Sequence, residues 1–432
     1  ARVLTIYELM LVTSLPKNWD IPNWASDNLV RQVIGEGIPP LLVKKIMMEL
    51  MNIMNRLKGL SLFSNVGVAE TYLKETGIDI LVANEINETR AKFYNHLYPN
   101  CNMIVGDITD SKIIQKVLNE SKKLNIDFVI ATPPCQGMSL AGTMDPLDKR
   151  NQLIYYAIEI IKKLKPKYIL LENVPQALKT KIKIDNEYIL IPEYIHKELE
   201  NDYLFADQNL ISAMDYDVPQ MRKRNIYLIS RKDMNYIWQV PDKKEKITLR
   251  DAIFDLPSVD PILKEGIEET LKLFPDFEEK RQKALKLSKW HHPPTHAKKH
   301  VIAMMHTPSG ETAFSNEIYY PKKDNGDRVN GHYNTYRRYS WDKPARTITQ
   351  NNGVISSLCC VHPGKAYTLN NEILYSDPRC LTIYELLIVF SLPIDWNIPE
   401  WADDRLIRNV IGEGIPPKLI RNLVETLIKN IN

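Results

Sequence analysis

The chain has 432 residues, enough for two or three domains with cores of their own, and its net charge is +3. That charge permits a nucleic-acid partner without requiring one. The five cysteines form no CxxC pair, and no apolar run reaches the length of a membrane span. We therefore expect neither a disulfide-stabilised secreted scaffold nor a membrane protein, and we expect a reducing, cytoplasmic location.

The beginning of the chain is repeated near its other end. Residues 2–50 and 379–427 align without a gap, and 29 of the 49 positions are identical. Both segments run from Leu-Thr-Ile-Tyr-Glu-Leu to Gly-Glu-Gly-Ile-Pro-Pro, which precedes an amphipathic helix. Two units this far apart do not form a solenoid, which needs three stacked repeats. We treat residues 1–53 as a duplicated segment, whose helix exposes Leu42, Ile46 and Leu50 unless a partner covers them.

Residues 54–231 alternate short apolar runs with helical patterns, as a doubly wound α/β sheet requires. The predicted strands, in chain order, are Leu60–Phe63, Ile80–Ala83, Met103–Val105, Phe128–Ala131, Tyr168–Leu171, Asn209–Ser212 and Ile226–Ile229. Ile154, Ala157, Ile158 and Ile161 recur at the spacing of one helix face. Such a sheet places its chemistry at the carboxyl ends of its strands.

The first predicted strand enters a helix through a turn of small residues. Phe63, Ser64, Asn65 and Gly67 form this turn, and Glu85 follows 22 residues after Phe63, at the end of the next strand. This spacing is typical of a carboxylate that binds the ribose hydroxyls of a nucleotide-like cofactor. Only one glycine of the usual set remains, so the pattern by itself leaves cofactor binding open.

The third predicted strand ends at Gly106-Asp107-Ile108. The carboxylate of Asp107 could accept a hydrogen bond from an exocyclic amine, such as that of adenine. The alternative is that Asp107 caps the helix that begins near Asp110. The sequence alone does not choose between the two.

Residues 131–139 read Ala-Thr-Pro-Pro-Cys-Gln-Gly-Met-Ser and follow an apolar strand. The two prolines stiffen a loop that presents Cys135 at the carboxyl edge of the sheet. A thiol in this place can act as a nucleophile if its surroundings lower its pKa or remove its proton. The alternative is a buried, inert cysteine.

Two further motifs lie next to predicted strands. Glu172, in Leu-Glu-Asn-Val, ends the fifth strand on the same sheet edge as Cys135, although it could also be a helix cap. Gln220-Met-Arg222-Lys-Arg224 precedes the last strand, and its first, third and fifth side chains share a face if the segment is extended. Such a face is either a clamp for phosphate or carbonyl groups or an ordinary solvated basic surface.

Residues 232–344 lose this periodicity and are predicted to form a second, irregular domain, from which residues 345–432 return to the first. A charged helical stretch is expected near Glu268–Leu287, interrupted at Pro275. The segment Trp290–His300 is rich in His and Lys, but no cysteine lies nearby and the spacing is not that of zinc ligands. We predict phosphate and base-edge contacts there and no metal. Arg346 and Thr347 could bind a further phosphate.

In order and spacing, these motifs closely resemble those of the DNA (cytosine-5) methyltransferases. The resemblance rests on Pro-Pro-Cys-Gln, Glu-Asn-Val and Gln-x-Arg-x-Arg, and it covers Leu57–Arg231 and Arg379–Leu427. The second stretch carries Arg-x-Leu-Thr…Glu and Gly-Glu-Gly-Ile-Pro-Pro, which look like the family's last two motifs. The resemblance implies a Rossmann-like sheet that binds S-adenosylmethionine, with residues 232–344 as a target-recognition domain.

The resemblance also implies residue roles. Cys135 would add to carbon 6 of a cytosine flipped out of duplex DNA, and Glu172 would protonate ring nitrogen 3. Arg224 would hold the base carbonyl, with Arg222 nearer the phosphate. The implied cofactor-binding residues are Phe63, Ser64, Asn65, Gly67, Glu85, Ile86, Asp107, Ile108, Pro133 and Glu413. The implied DNA-binding residues are Gln136, Ser139, Gln220, Arg346 and Thr347.

The chain departs from the family pattern in the cofactor turn and in the last motif. In the turn, Asn65 replaces a glycine but tolerates a positive φ fairly well. Val68 stands where a glycine is usual, and a β-branched residue does not readily adopt a positive φ, so the turn is expected to differ. Glu413 and its counterpart Glu36 stand where asparagine is usual. A carboxylate there could bind the amino group of the cofactor's methionine portion, or the exchange could be neutral.

The function implied is methylation of cytosine at carbon 5 in a specific duplex DNA sequence, within a bacterial restriction–modification system. The expected partners are double-stranded DNA, a companion methyltransferase and a restriction endonuclease. The alternatives are a catalytically impaired relative that reads DNA or regulates a partner, and an RNA cytosine methyltransferase. The duplication points to a tandem fusion of two methyltransferases, in which residues 379–427 complete the cofactor site. The alternative is a circular permutation in progress, in which the N-terminal copy completes that site because it leads directly into the first strand.

Overall fold

The computed structural model describes residues 2–54, 56–134, 149–184, 187–323, 325–331 and 333–431, with the backbone alone for residues 48–54. The chain divides into two compact units, the first ending at Leu57 and the second running from Lys58 to Ile431. The second unit contains both the predicted sheet and residues 232–344.

Helices and strands alternate through the second unit as the sequence predicts. The helices of the chain are α1 (Ile6–Val12), α2 (Asp27–Glu36), α3 (Pro40–Met54), α4 (Glu88–Leu97), α5 (Ser111–Leu124), α6 (Leu153–Leu164), α7 (Ile191–Leu199), α8 (Leu249–Ile253), α9 (Ile267–Leu273), α10 (Phe277–Leu287), α11 (Lys298–Met305), α12 (Ile383–Val389), α13 (Asp404–Glu413) and α14 (Pro417–Ile431). The strands are β1 (Leu57–Leu62), β2 (Ile78–Glu85), β3 (Asn102–Val105), β4 (Phe128–Ala131), β5 (Tyr168–Asn173), β6 (Lys181–Ile184), β7 (Glu187–Leu190), β8 (Tyr203–Phe205), β9 (Leu210–Ser212), β10 (Gln220–Met221), β11 (Lys223–Arg231), β12 (Ile262–Leu263), β13 (Thr295–His296), β14 (Ala345–Arg346), β15 (Ala366–Leu369) and β16 (Glu372–Tyr375).

The central sheet has the strand order β3-β2-β1-β4-β5-β11-β8, and β9 pairs with β11. The pairs β2–β3, β1–β4 and β4–β5 are parallel, whereas β11 runs antiparallel to β5, β8 and β9. The order of the parallel strands reverses between β1 and β4, and open α/β sheets bind ligands in the crevice at such a point. The doubly wound fold is confirmed, and so is each of the seven predicted strands. β8, the remaining strand of the central sheet, was not predicted.

The core of this sheet is aliphatic. Ile154, Ala157, Ile158 and Ile161 of α6 are buried against it, as their helical spacing predicts. The predicted charged stretch of residues 232–344 forms two helices, α9 and α10, which are separated at Pro275. Residues of that region, such as Phe277 and Met304, share a smaller core with residues of the return segment, such as Val361.

The two copies of the duplicated segment fold alike. Helices α1, α2 and α3 of the first copy correspond to α12, α13 and α14 of the second copy. Each pair begins and ends at equivalent residues. Thr5 and Thr382 both form capping boxes at the start of the first helix, and Ser14 and Ser391 both have a φ near 60°. Local sequence therefore determines the internal structure of each copy.

A buried carboxylic acid lies beneath the turn that follows β1. Glu70 accepts hydrogen bonds from the hydroxyls of Ser61 and Tyr94, and the Tyr94 hydroxyl also lies 3.6 Å from the Cys101 sulfur. Burial raises the pKa of Glu70 to about 7, although its two hydroxyl partners oppose the rise. Glu70 is therefore protonated in the folded protein at a pH where it is ionised in the unfolded chain.

Replacement of Glu70 by glutamine should flatten the dependence of stability on pH. The raised pKa of Glu70 stabilises the fold fully below about pH 4.5, and this contribution is lost as pH rises through about 7. A pKa rise of this size corresponds to roughly 3 kcal/mol. Urea unfolding between pH 4.5 and 8 would measure the difference between wild type and Glu70→Gln. Glu75→Gln, at an exposed position, is the control, and parallel wild-type and Glu70→Gln curves would contradict the assignment.

Candidate active site

The predicted motifs meet at one edge of the sheet, where β1, β2, β4 and β5 end. The hydroxyl of Thr132, just after β4, donates to the carbonyl of Phe63, just after β1, at 3.1 Å. The amide of Asn173, at the end of β5, donates to the carbonyl of Pro133 at 3.4 Å. These two bonds fix the Pro-Pro segment against its neighbouring strands, and Pro134 is the last residue described before Cys135. Cys135, Gln136 and Ser139 lie outside the described residues.

The turn after β1 has a left-handed backbone at three positions. Phe63, Asn65 and Gly67 have φ values of 58°, 51° and 79°. A Cβ atom at Gly67 would collide with the ring of Tyr98, whose hydroxyl donates to the Gly67 carbonyl. Glycine is therefore required at position 67 for two reasons, the positive φ and the close ring.

Val68 does not distort this turn, contrary to the expectation from sequence. Its φ is not positive, so its branched side chain meets no backbone penalty, and it is buried in the second core of the unit. There it lies against Gly414, where a Cβ atom would come within 2.8 Å of Val68. The missing glycine of the turn is thus matched by a glycine in the C-terminal segment.

Glu85 and Ile86 form the base of the predicted cofactor site. The Glu85 carboxylate is buried at the end of β2 and accepts hydrogen bonds from the backbone N–H groups of Asn65 and Asn87, both at 2.9 Å. The next side chain, Ile86, is 62% exposed. An oriented carboxylate beside an exposed apolar side chain suits a ribose that carries a flat aromatic base. Ser64 lies behind them, bonded to the Asn84 carbonyl.

Asp107 and Ile108 have different environments. The Asp107 side chain is exposed and accepts from the backbone of Thr109, while Asp110, not Asp107, caps α5. Asp107 therefore keeps the role of a candidate acceptor at the end of β3. The side chain of Ile108 is buried in the core of the sheet, and its contact with a cofactor stays a prediction.

The C-terminal segment reaches this site through Glu413. Its carboxylate forms an ion pair with Arg90 at 2.7 Å and accepts a hydrogen bond from the Asn65 side chain at 3.2 Å. Glu413 therefore joins the end of α13 to the turn after β1 and to α4. Arg90 was not predicted as a site residue, because nothing in its local sequence shows that α4 faces the C-terminal segment.

A buried ion pair links β5 to β11. The Nε of Arg224 lies 2.8 Å from a carboxylate oxygen of Glu172, and both side chains are largely buried. The antiparallel register places Glu172 opposite Ile226, so that Arg224 reaches back along the strand. Burial raises the pKa of Glu172, and the guanidinium groups of Arg224 and Arg222 oppose this rise. A raised pKa lets a carboxyl group keep its proton to higher pH than an exposed carboxyl group does.

Arg222 and Gln220 do not face DNA, which corrects the prediction for both. Arg222 is buried, and its guanidinium donates to the carbonyls of Ile348 at 2.8 Å and Gly412 at 3.0 Å. Gln220 is also buried, and its side-chain oxygen accepts from the backbone N–H of Ile348. The segment is not a continuous extended face, because β10 pairs with β14 whereas β11 joins the central sheet. Both side chains position the return segment.

The return segment leaves Arg346 accessible. Arg346 is exposed and donates to the side-chain oxygen of Asn334 at 2.9 Å. Thr347 is half-buried, and its hydroxyl donates to the carbonyl of Met221 at 2.8 Å. Arg346 thus has the charge and the exposure that a phosphate contact requires. The Thr347 hydroxyl is already hydrogen-bonded to the backbone of β10.

Two histidines of residues 290–300 form hydrogen bonds inside the protein. His291 bonds to Thr382 and to the Pro257 carbonyl, and His296 accepts from the backbone N–H of Cys380. Both are buried, so the predicted DNA contacts of these two side chains are wrong. Among the described residues, no group of three His, Cys, Asp or Glu side chains could hold a metal ion. The described residues also include no helix that could span a membrane.

Comparison with known proteins agrees with this geometry. The family model of the C-5 cytosine-specific DNA methylases matches residues 57–429. The type II methyltransferase M1.HgaI of Avibacterium volantium is 41% identical over 374 residues, which cover 85% of this chain and 97% of that protein. The type II methyltransferase M.NgoPII of Neisseria gonorrhoeae is 33% identical over 208 residues, which cover 47% of this chain and 58% of that protein.

Solved structures show the same fold. A putative DNA modification methyltransferase from a prophage (E. coli) aligns with a TM-score of 0.59 at 20% identity, over 86% of this chain and 99% of that one. A DNMT2 variant of Spodoptera frugiperda aligns with a TM-score of 0.54 at 18% identity, over 86% and 99% of the two chains. The chain belongs to the C-5 cytosine-specific DNA methylases and is an enzyme that methylates cytosine at carbon 5 in DNA.

Proposed function

We propose that the methyl group comes from S-adenosylmethionine and that transfer proceeds through a covalent adduct between Cys135 and a flipped-out cytosine. The observation that carries this proposal is the buried Glu172–Arg224 ion pair at 2.8 Å. Glu172 lies at the end of β5, next to β4, and the carboxyl end of β4 leads to Cys135. A nucleophile and a proton-holding carboxyl on adjacent strand ends are what addition to a pyrimidine ring requires.

The two side chains act on opposite parts of the ring. The Cys135 thiolate forms a bond to carbon 6, while a proton on Glu172 is donated to ring nitrogen 3, so that carbon 5 becomes nucleophilic. After carbon 5 has taken the methyl group, its proton passes to solvent and the thiolate departs, which restores the ring. Ring nitrogen 3 returns its proton to Glu172. Arg224 keeps Glu172 oriented and donates toward the base carbonyl. Extrusion of the base from the duplex costs a few kcal/mol.

The residues at the strand ends fit S-adenosylmethionine. The buried carboxylate of Glu85 would accept from the ribose hydroxyls, exposed Ile86 would pack on the adenine, and Asp107 would accept from its amino group. Glu413 lies where the amino group of the methionine portion would bind, with Arg90 balancing part of its charge. When bound, the sulfonium of this cofactor supplies an activated methyl group.

DNA is contacted by the residues around the Pro-Pro-Cys loop and by the return segment. Gln136 and Ser139 follow the nucleophile in sequence and would face the extruded nucleotide, and exposed Arg346 would hold a phosphate. The relatives of this chain are named type II methyltransferases. We assign the chain to a bacterial restriction–modification system, where its methylation would protect DNA from a companion endonuclease.

Replacement of Cys135 by serine should abolish methylation while leaving DNA binding largely intact. The side chain keeps its size, but an alcohol is far less acidic than a thiol, so the attacking anion is lost. Bisulfite sequencing of DNA from cells that express wild type or Cys135→Ser would report activity, target sequence and strand together. Methylation by the serine variant at the wild-type rate would remove Cys135 from the mechanism, and unmethylated DNA in wild-type cells would count against DNA as substrate.

Replacements of Glu172 and Glu85 should affect different steps, namely catalysis for Glu172 and cofactor binding for Glu85. Glu172→Gln should reduce the methylation rate by about 10²-fold with little change in cofactor affinity, because glutamine cannot transfer a proton. Glu85→Ala should weaken S-adenosylmethionine binding by about 10-fold or more, because it removes the ribose acceptor. Isothermal titration and single-turnover rates at saturating cofactor would measure both variants. Equal losses of cofactor affinity in the two would contradict these roles.

The pH profile gives an independent readout of Glu172. Burial raises the pKa of this carboxyl, so its proton is retained to higher pH than usual and is lost as pH rises further. The single-turnover rate of wild type should therefore fall on the alkaline side of that pKa, and this decline should be absent in Glu172→Gln. A decline of the same shape in both proteins would assign it to another group.

A further inference from the structure

The duplicated segment at the start of the chain repeats the internal contacts of the C-terminal segment residue by residue. The guanidinium of Arg2 forms two hydrogen bonds with Glu8, as that of Arg379 does with Glu385. In the same way, the Arg31 side chain donates to the carbonyl of Leu4, as Arg408 donates to Leu381. The Ser14 hydroxyl accepts from the N–H of Leu41, as Ser391 accepts from Lys418. Residues 2–54 are thus a complete copy of this module.

The two copies differ in what covers them. On the last helix, Leu42, Ile46 and Met47 are each 51% exposed, whereas their counterparts Leu419, Leu423 and Val424 are fully buried. The same reversal holds at other apolar positions of the first copy, namely Val3, Leu4, Tyr7, Val12, Val33, Ile38 and Val43. The Arg2–Glu8 pair is exposed, but the Arg379–Glu385 pair is buried. A contiguous apolar surface of this kind marks an interaction site.

The equivalent surface of the second copy is covered by the cofactor-binding core of its own unit. In the second unit, Ile383, Leu387 and Val410 form one core with Val68 of the cofactor turn and Phe93 of α4. The ring of Phe93 stacks on Trp396 at 5.5 Å between centroids. On the last helix, the indole N–H of Trp238 donates to the Leu423 carbonyl at 2.8 Å. The apolar face of the module is thus shaped for the cofactor-binding core of a cytosine methyltransferase.

We infer that residues 2–54 are the C-terminal module of a second cytosine methyltransferase site, and that their exposed face docks on a second cofactor-binding core that lacks a module of its own. The core of this chain is not the occupant, because residues 379–431 already fill that place through Arg222 and Glu413. The family match likewise begins at residue 57 and leaves the first copy outside it.

Glu36 would contribute to the second cofactor site. Its counterpart Glu413 reaches the cofactor turn through Asn65, so docking of residues 2–54 would place Glu36 at the cofactor turn of the second core. Sequence divergence between the copies agrees with a different partner. Thr13 replaces Phe390, which packs on Arg222, and Lys45 replaces Asn422, which donates to the Tyr216 carbonyl. An assembly of this kind would carry two methylation sites.

A graft tests whether the first copy can still serve a methyltransferase core. In the full chain, residues 379–429 are replaced by a second set of residues 2–52 that carries Thr13→Phe, Lys45→Asn and Glu49→Thr, which restore the side chains of Phe390, Asn422 and Thr426 that contact this core. Methyl transfer from S-adenosylmethionine to DNA should stay within about tenfold of wild type, since the other buried contacts are the same residues or similar apolar ones. A graft that is insoluble, or soluble but inactive, would overturn the inference.

The same substitution at two places provides the matched control. Ile46→Glu inside the graft should reduce methyl transfer by more than about 100-fold, because it buries an unpaired charge at the position of Leu423. In the native first copy, Ile46→Glu should change activity by less than about twofold, since that residue serves another core. Loss of activity from the native-position variant would mean that the first copy acts on the core of its own chain, against the inference.

Analytical ultracentrifugation tests whether the exposed face of residues 2–54 binds a second copy of this chain. The wild-type chain at micromolar concentration should be monomeric, because each copy of this core already holds residues 379–431. A dimer that Ile46→Glu dissociates would mean that the exposed face binds a second copy of the same chain, and it would overturn the assignment to a different methyltransferase core.

Discussion

The buried guanidinium of Arg222 is the interaction on which the site depends. It joins three parts of the chain, since it lies between β10 and β11 and donates to the carbonyls of Ile348 and Gly412. A buried charge is tolerated only when its donors are satisfied, so neither carbonyl can move away without a large cost. The return segment and the end of α13 are thereby held beside the cofactor turn, and Glu413 is brought to Asn65.

The cofactor turn shows how a family pattern can change without loss of its geometry. The left-handed backbone is carried by Phe63, Asn65 and Gly67, so Val68 meets no φ penalty. The side chain of Val68 packs against Gly414 of the C-terminal segment, which has no side chain to collide with it. A substitution in the first strand–helix turn is thus compensated by a glycine far away in sequence, which only packing can reveal.

Pattern in the sequence was enough to predict much of the sheet and the candidate site. The strands that end at Glu85 and Glu172 were predicted because apolar runs of the right length end in polar residues. Glu172 and Arg224 meet across adjacent strands, as their motifs indicate. Arg222 and Gln220 were assigned to DNA instead of to the interior, because alternation along one strand cannot show that the pairing partner changes between β10 and β11.

The duplicated segment separates most clearly what sequence and tertiary structure each determine. By itself the sequence determined the doubly wound sheet, the order of its motifs, and three helices and their caps in both copies, because hydrophobic period, capping residues and short-range hydrogen bonds act within a few residues. Tertiary structure decided that Leu423 is buried while Ile46 is exposed, and that Arg90 faces Glu413. Burial and ion pairing between distant segments depend on which surfaces meet, and no local pattern records that.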